Sequence, residues 1–180
     1  MAKARSGVPG GPQVPRRAVQ IPLPPIDTGQ VAQFWDRARS SGSVGPTAPL
    51  PESVGPFGDS VELADELIEL VLSGRKRATA GALADYEAEG CSLPCSGSLW
   101  VATDGAGRPR AVLRTTDVRV GPLESVDESF AWDEGEGDRT REGWLAAHEA
   151  FFRRHLPFTG AAFDPAMATV FERFEVVFSE

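Results

Sequence analysis

Tyrosine occurs once in this 180-residue chain, and lysine, histidine and cysteine occur twice each. Each shortage excludes something. Two cysteines, Cys91 and Cys95, cannot build a disulfide framework, which points to a reducing cytoplasm. No stretch approaches the roughly 18 apolar residues of a membrane span, so the chain reads as soluble, with no membrane partner. The first 25 residues lack a continuous apolar run, so they are not a secretory signal. There is no Walker loop, no dinucleotide fingerprint and no nucleophile elbow, so common nucleotide-driven chemistry finds no support. No internal repeat is visible.

Positive charge is also scarce, with 18 basic against 26 acidic residues and a net charge of −8. Lys3, Arg5, Arg16 and Arg17 all lie in the first 25 residues, which carry no acid, so the remainder holds 14 basic and 26 acidic residues. A body this acidic does not coat duplex DNA, which selects a basic face. A small anion or a few phosphates held at a local basic site is compatible with it.

What is present divides the chain into three parts. Residues 1–26 are rich in Pro, Gly and basic residues and read as a flexible tail with polyproline-like pieces. Residues 27–56 read as a short helix followed by a linker. The helix is "DTGQVAQFWDRAR", with Asp27 or Thr28 as its cap and Val31, Phe34 and Trp35 on one face. The linker is "SSGSVGPTAPLPESVGP". The main domain, 57–180, opens with "DSVELADELIELVLSG", an amphipathic helix with Asp59 or Ser60 as its cap and Gly74 as its stop. "SLWVATD" and "RAVLRTTDVRV" read as strands joined by "GAGRP". "DESFAWDEGEGDRTREGWLAAHEAFFRRH" reads as mostly helical after a Gly-rich interruption. "TVFERFEVVF" reads as a strand, with Val170, Phe174, Val176 and Phe178 on one face. Mixed strands and helices without βαβ repetition indicate an α+β fold with a small, largely antiparallel or barrel-like sheet.

Two clusters carry candidate chemistry. Of the 18 basic residues 16 are Arg, yet Lys76 stands between Arg75 and Arg77 in "SGRKRATAG". Arg stays charged, whereas Lys loses its proton when its pKa is depressed, as neighbouring cations and burial favour. Lys76 can thus be a base, or activate a hydroxyl such as Thr79. The alternative is a solvated basic helix end, which the helix dipole alone would favour. Positions 76 and 79 point to opposite faces of a regular strand, so they meet only if the chain turns or bulges. The second cluster is "DEGEGDRT", with Asp133, Glu134, Glu136 and Asp138 separated by glycines. It reads as hard-cation ligands (magnesium or manganese), a general base, or an acidic helix-capping loop. Tyr86, Trp100 and Trp132 read as stacking or packing residues. Cys91, Cys95, His148 and His155 do not have zinc-site spacing, and His148 falls among packed aromatics.

"FGDSVELADELIELVLSGRKRATAGAL", "GRPRAVLRTTDVRV", "DEGEGDRTREGW" and "VFERFEVVF", in this order, resemble the ASCH (activating-signal-cointegrator homology) superfamily, in its larger bacterial members, from Phe57 to Phe178. The resemblance implies a PUA-like fold: a small β-barrel flanked by helices, with a cleft for single-stranded RNA, nucleosides or nucleotides. Two hydrolase activities are implied. One is RNA cleavage, ribonuclease-like; if that cleavage is metal-assisted, Glu136 and Asp138 are the residues to recruit the divalent ion. The other is an amidohydrolase that removes acetyl from 4-acetylcytidine, with Lys76, Thr79 and Glu134 as the catalytic set. Arg75, Arg77, Tyr86, Arg139 and Thr140 are the ligand-binding candidates. A non-catalytic RNA-binding regulatory module is the third reading.

Overall fold

The computed structural model describes residues 23–51 and 53–180. Most of the Pro/Gly/basic segment, residues 1–22, lies outside the described residues. Helix α1 (Thr28–Ser40) starts where the Asp27 carboxylate accepts from the backbone N–H groups of Gly29 and Gln30. Strand β1 (Val54–Pro56) follows, and helix α2 (Val61–Leu72) begins at Ser60, whose hydroxyl accepts from the Leu63 N–H. Asp59, the other cap candidate, instead binds Arg154. Next come β2 (Ala78–Ala82), α3 (Leu83–Glu89), β3 (Leu99–Thr103) and the long β4 (Pro109–Pro122). Helices α4 (Glu128–Glu134) and α5 (Arg141–Thr159) flank the glycine loop, and β5 (Ala168–Ser179) ends the chain.

The strands form one sheet of order β1-β3-β4-β5-β2, which curves into a half-barrel. Among the described residues only β1 runs parallel to its neighbour; the other pairings are antiparallel. The stretch that composition marks as linker therefore supplies an edge strand, and its Val44 is buried against α1. The Trp35 indole donates to the Ala48 carbonyl, which fastens the segment down.

The core has three parts. Helix α1 buries Phe34 and Trp35 against Val101 and Val112. Helix α2 covers Phe57, Leu113 and Phe174. Helices α4 and α5 cover Ala78, Ala82 and Phe171 with Phe130, Trp144 and Phe152. Each large side chain contributes about 1.5–3 kcal/mol by leaving water. The expected single apolar face of β5 is corrected here. Val176 is exposed, while Val170, Phe171 and Phe174 are all buried, because β5 is sandwiched on both sides at its centre. Two register shifts against β4, at Val112/Leu113 and Thr115/Asp117, re-aim the strand between these layers.

Candidate functional site

Helix α2 ends at Ser73, and Gly74 takes the left-handed conformation (φ 74°) that turns the chain back. The next residues run extended beside the end of α4. The Arg77 N–H donates to the Asp133 carbonyl, and the Arg75 guanidinium donates to the Gly137 carbonyl. Gly135 must be glycine: its φ is 75°, and a Cβ there would collide with the Arg75 carbonyl. This close approach brings the two charged motifs together across about 60 residues of sequence.

Lys76 lies before β2 and is only 1% exposed. Its Nζ donates to Glu136 Oε1 at 2.5 Å and to Glu134 Oε1 at 3.3 Å, and it stands 5.3 Å from the Phe57 ring centroid. Glu134 is buried as well. Its Oε2 accepts from the Trp144 indole, and its Oε1 faces His148 Nε2 at 3.4 Å. His148 Nδ1 donates to the Trp144 carbonyl, and the imidazole stacks on the indole at 3.7 Å. His148 is thus packed, and it also forms part of the charge network.

The electrostatics follow from this geometry. Burial pushes the Lys76 amine down, but Glu134 and Glu136 outweigh it and raise the pKa. The expectation that the lysine would be depressed into a base is corrected: Arg75 and Arg77 point away to partners of their own, and two carboxylates surround the ammonium. Burial pushes Glu134 up, but Lys76 and His148 bring it down to about 2. The same carboxylate raises His148 against its own burial. The site is a buried ion network with a permanent cation at its centre.

The other candidates divide. Arg77 pairs with Asp133 at 2.7 Å, and Arg173 pairs with the same carboxylate. Arg139 takes a left-handed φ of 64°, donates twice to the Trp132 carbonyl and stacks 3.7 Å over the exposed Trp132 ring. Thr140 caps α5, and Asp138 accepts from the Thr140 backbone and hydroxyl. Asp138 is therefore engaged in the capping turn while Glu136 is engaged by Lys76. Among the described residues no group of three or more His, Cys, Asp or Glu is arranged to hold a metal. The two expected ligands are thus each held by another partner, Glu136 by Lys76 and Asp138 by Thr140.

Thr79 lies within β2 itself. In β2, Ala78, Ala80 and Ala82 pack under α4 and α5, so Thr79 and Gly81 face the other side. No hydrogen bond joins Thr79 to Lys76 or Glu134 among the described residues. Thr79 instead stands opposite Glu172 of β5, and the Tyr86 ring lies against Gly81. Glu172 is 6% exposed and accepts from the Thr115 hydroxyl at 2.5 Å. Burial raises its pKa, against the Thr115 hydrogen bond. Burial, with Glu172 next, pushes the Tyr86 phenol up to about 12. Sequence reasoning missed Glu172, and its one signal was a lone acid between Phe171 and Phe174 in an apolar strand.

A cavity of about 370 Å³ bounded by Arg37, Asp104, Arg108 and Arg110 lies away from both places. All three of its arginines are tied to carboxylates. No helix among the described residues is long and apolar enough to cross a membrane.

The family model of the ASCH domain matches residues 53–178. A solved protein from Enterococcus faecalis V583 is 36% identical, with a TM-score of 0.74 over 82% of this chain and 88% of its own. An ASCH domain from Lactobacillus crispatus JV V101 is 30% identical, also with a TM-score of 0.74, over 84% of this chain and 96% of its own. Comparison with curated proteins gives no match. The matched span holds β1 to β5, the Lys76 network and the Thr79–Glu172 face, and the chain belongs to the ASCH family, an RNA-binding PUA-like fold in general.

Proposed function

We propose that this ASCH protein binds single-stranded RNA or its nucleotide units, holding an anionic group of the ligand on the Lys76 ammonium. The observation that carries this reading is the asymmetry of the two carboxylates on Lys76. Glu134 is buried and held by Trp144 and His148, whereas the Glu136 side chain is 28% exposed. Glu136 sits between Gly135 and Gly137, both at positive φ, on a tight turn that leaves its carboxylate at the surface end of the network. A phosphate replacing it would keep Lys76 paired, so the exchange does not strand a buried charge. The acidic body suits a ligand of one or a few nucleotides rather than a long polyanion. The exposed, unpaired Cys91 and Cys95 suit a reducing cytoplasm.

The test is binding of cytidine 5′-monophosphate and a five-nucleotide single-stranded RNA to wild type and Glu136→Gln. Removing the competing charge tightens both, by roughly three- to tenfold for a charge-assisted contact. Unchanged or weaker binding in Glu136→Gln refutes the reading.

A second reading is amide hydrolysis of 4-acetylcytidine, favoured by the 3.3 Å contact between Lys76 and Glu134, two of the three residues the resemblance implies. It predicts turnover that survives a chelator and disappears in Thr79→Ala. Metal-assisted RNA cleavage predicts the reverse. Binding with no turnover of either substrate identifies a regulatory module.

A further inference from the structure

We propose that Glu172 is a base-reading residue: with Thr79 it recognises the edge of a nucleobase that carries an exocyclic amine beside an unprotonated ring nitrogen, as cytosine and adenine do. This inference rests on the nucleotide-binding reading above and names the part of the ligand the Thr79 face would take.

The argument starts from the pairing of β2 and β5. Thr79 and Glu172 are register partners in an antiparallel ladder, so their Cβ atoms are about 4.5–5.5 Å apart on one face. Their chain neighbours confirm which face. Ala78, Ala80 and Phe171 belong to the core under α4 and α5, whereas Phe174, two residues beyond Glu172, packs with Phe57 and Trp100 on the opposite side. Tyr86 from α3 closes one flank, with its ring against Gly81. Trp100 closes the other through its edge contact with Phe174. The face is polar at its centre and aromatic at both ends.

That centre is underused. Thr115 occupies Oε1 of Glu172, and among the described residues Oε2 has no hydrogen-bond partner. The Thr79 hydroxyl has none either, and the Trp100 indole N–H is buried without one. The Trp100 N–H is the buried group left over, while Glu172 Oε2 and the Thr79 hydroxyl stay open at the face, where a ligand can pair with them. The face is also reachable: Thr79, Gly81 and Val118 are half-buried, and Val120 beyond them is 45% exposed.

The chemistry selects the ligand. Among the described residues no cation pairs with Glu172; the groups around it are Thr79, Thr115 and Tyr86, with Asp85 and Glu89 on the same helix as Tyr86. Asp85 is turned to His155. A carboxyl in such surroundings favours its neutral form, which presents an acceptor oxygen and a donor O–H side by side. Cytosine and adenine offer the complement, an amine donor next to a ring-nitrogen acceptor. Uracil and guanine carry a ring N–H at the corresponding nitrogen and cannot accept there. A matched bidentate pair of this kind discriminates strongly between bases.

The test is equilibrium binding of cytidine, adenosine, uridine and guanosine, followed by indole fluorescence, to wild type, Glu172→Gln and Thr79→Val. Below the pH at which the carboxyl ionises, wild type prefers cytidine and adenosine by about tenfold or more. That preference weakens as pH rises and the carboxyl ionises. In Glu172→Gln, whose amide keeps an acceptor and a donor but no longer titrates, the preference becomes independent of pH. Thr79→Val reduces affinity for all ligands while the protein keeps its melting temperature. Equal binding of the four nucleosides, or a wild-type preference that does not vary with pH, overturns the assignment of Glu172 and leaves the nucleotide-binding reading standing. If neither the nucleosides nor the five-nucleotide RNA binds, the nucleotide-binding reading itself fails.

Discussion

Replacing Lys76 by methionine keeps the length of the side chain and removes its charge. Glu134 then remains buried, with Trp144 and His148 as its remaining partners. Removing one member of a buried ion pair costs about 3–5 kcal/mol, because the other charge is left uncompensated. Against a total stability of about 5–15 kcal/mol, that is a large share. The cost should fall when Glu134 is also neutralised: Lys76→Met with Glu134→Gln should recover at least about 1 kcal/mol relative to additivity. Urea unfolding followed by tryptophan fluorescence measures both quantities, since Trp144 lies in the network. The signs of the pKa shifts choose the pH. Glu134 is depressed from 4.5, so its contribution is complete above pH 4.5 and is lost as pH falls toward about 2. His148 is raised from 6.5, so its contribution is complete below pH 6.5 and is lost as pH rises through its folded value. The network is therefore strongest between pH 4.5 and 6.5, and the difference between wild type and the double variant should peak there. A loss below about 1 kcal/mol in Lys76→Met, or strict additivity, would show that the three charges do not act as a unit.

Other outcomes follow from the same structure. Gly135→Ala should destabilise by about 2 kcal/mol or more, from positive φ and the collision with the Arg75 carbonyl, and thermal unfolding reads it directly. Ser60→Ala removes the α2 cap and should cost about 1 kcal/mol in the same measurement, with nucleotide binding unchanged. Glu172 is raised from 4.5, so the native state holds its proton more tightly than the unfolded chain does. Stability therefore declines as pH rises from 4.5 through the folded value, and Glu172→Gln should flatten that decline; a variant that instead loses stability uniformly with pH would contradict it.

Much of this was legible in local sequence. The caps and apolar stripes of α1 and α2, the β3–β4 turn and the glycine loop before α5 are set within a few residues by helix spacing, hydrogen-bonding side chains and left-handed glycines. The arginine-embedded Lys76 and the acidic cluster were visible as anomalies for the same reason, since composition reveals what is rare. Their meeting was only implied, because no spacing rule connects positions about 60 residues apart. The linker composition of 40–56 concealed β1, whose three residues pair with β3 instead of following any pattern of their own. The alternation of β5 misled because the strand is buried on both faces, so apolar residues at successive positions carry no face information.

The chain by itself determined helices α1, α2 and α5, most of its strand boundaries, its ASCH character and the residue types at the site, because these depend on neighbours in sequence. The tertiary structure decided protonation and partnership. Lys76 keeps its proton because the Gly135 turn delivers Glu134 and Glu136 to it. Thr79 makes no hydrogen bond to that pair among the described residues, and β2, regular from Ala78, sets it opposite Glu172. Charge state in a protein interior is set by what lies within a few ångströms, and here those neighbours come from distant parts of the chain.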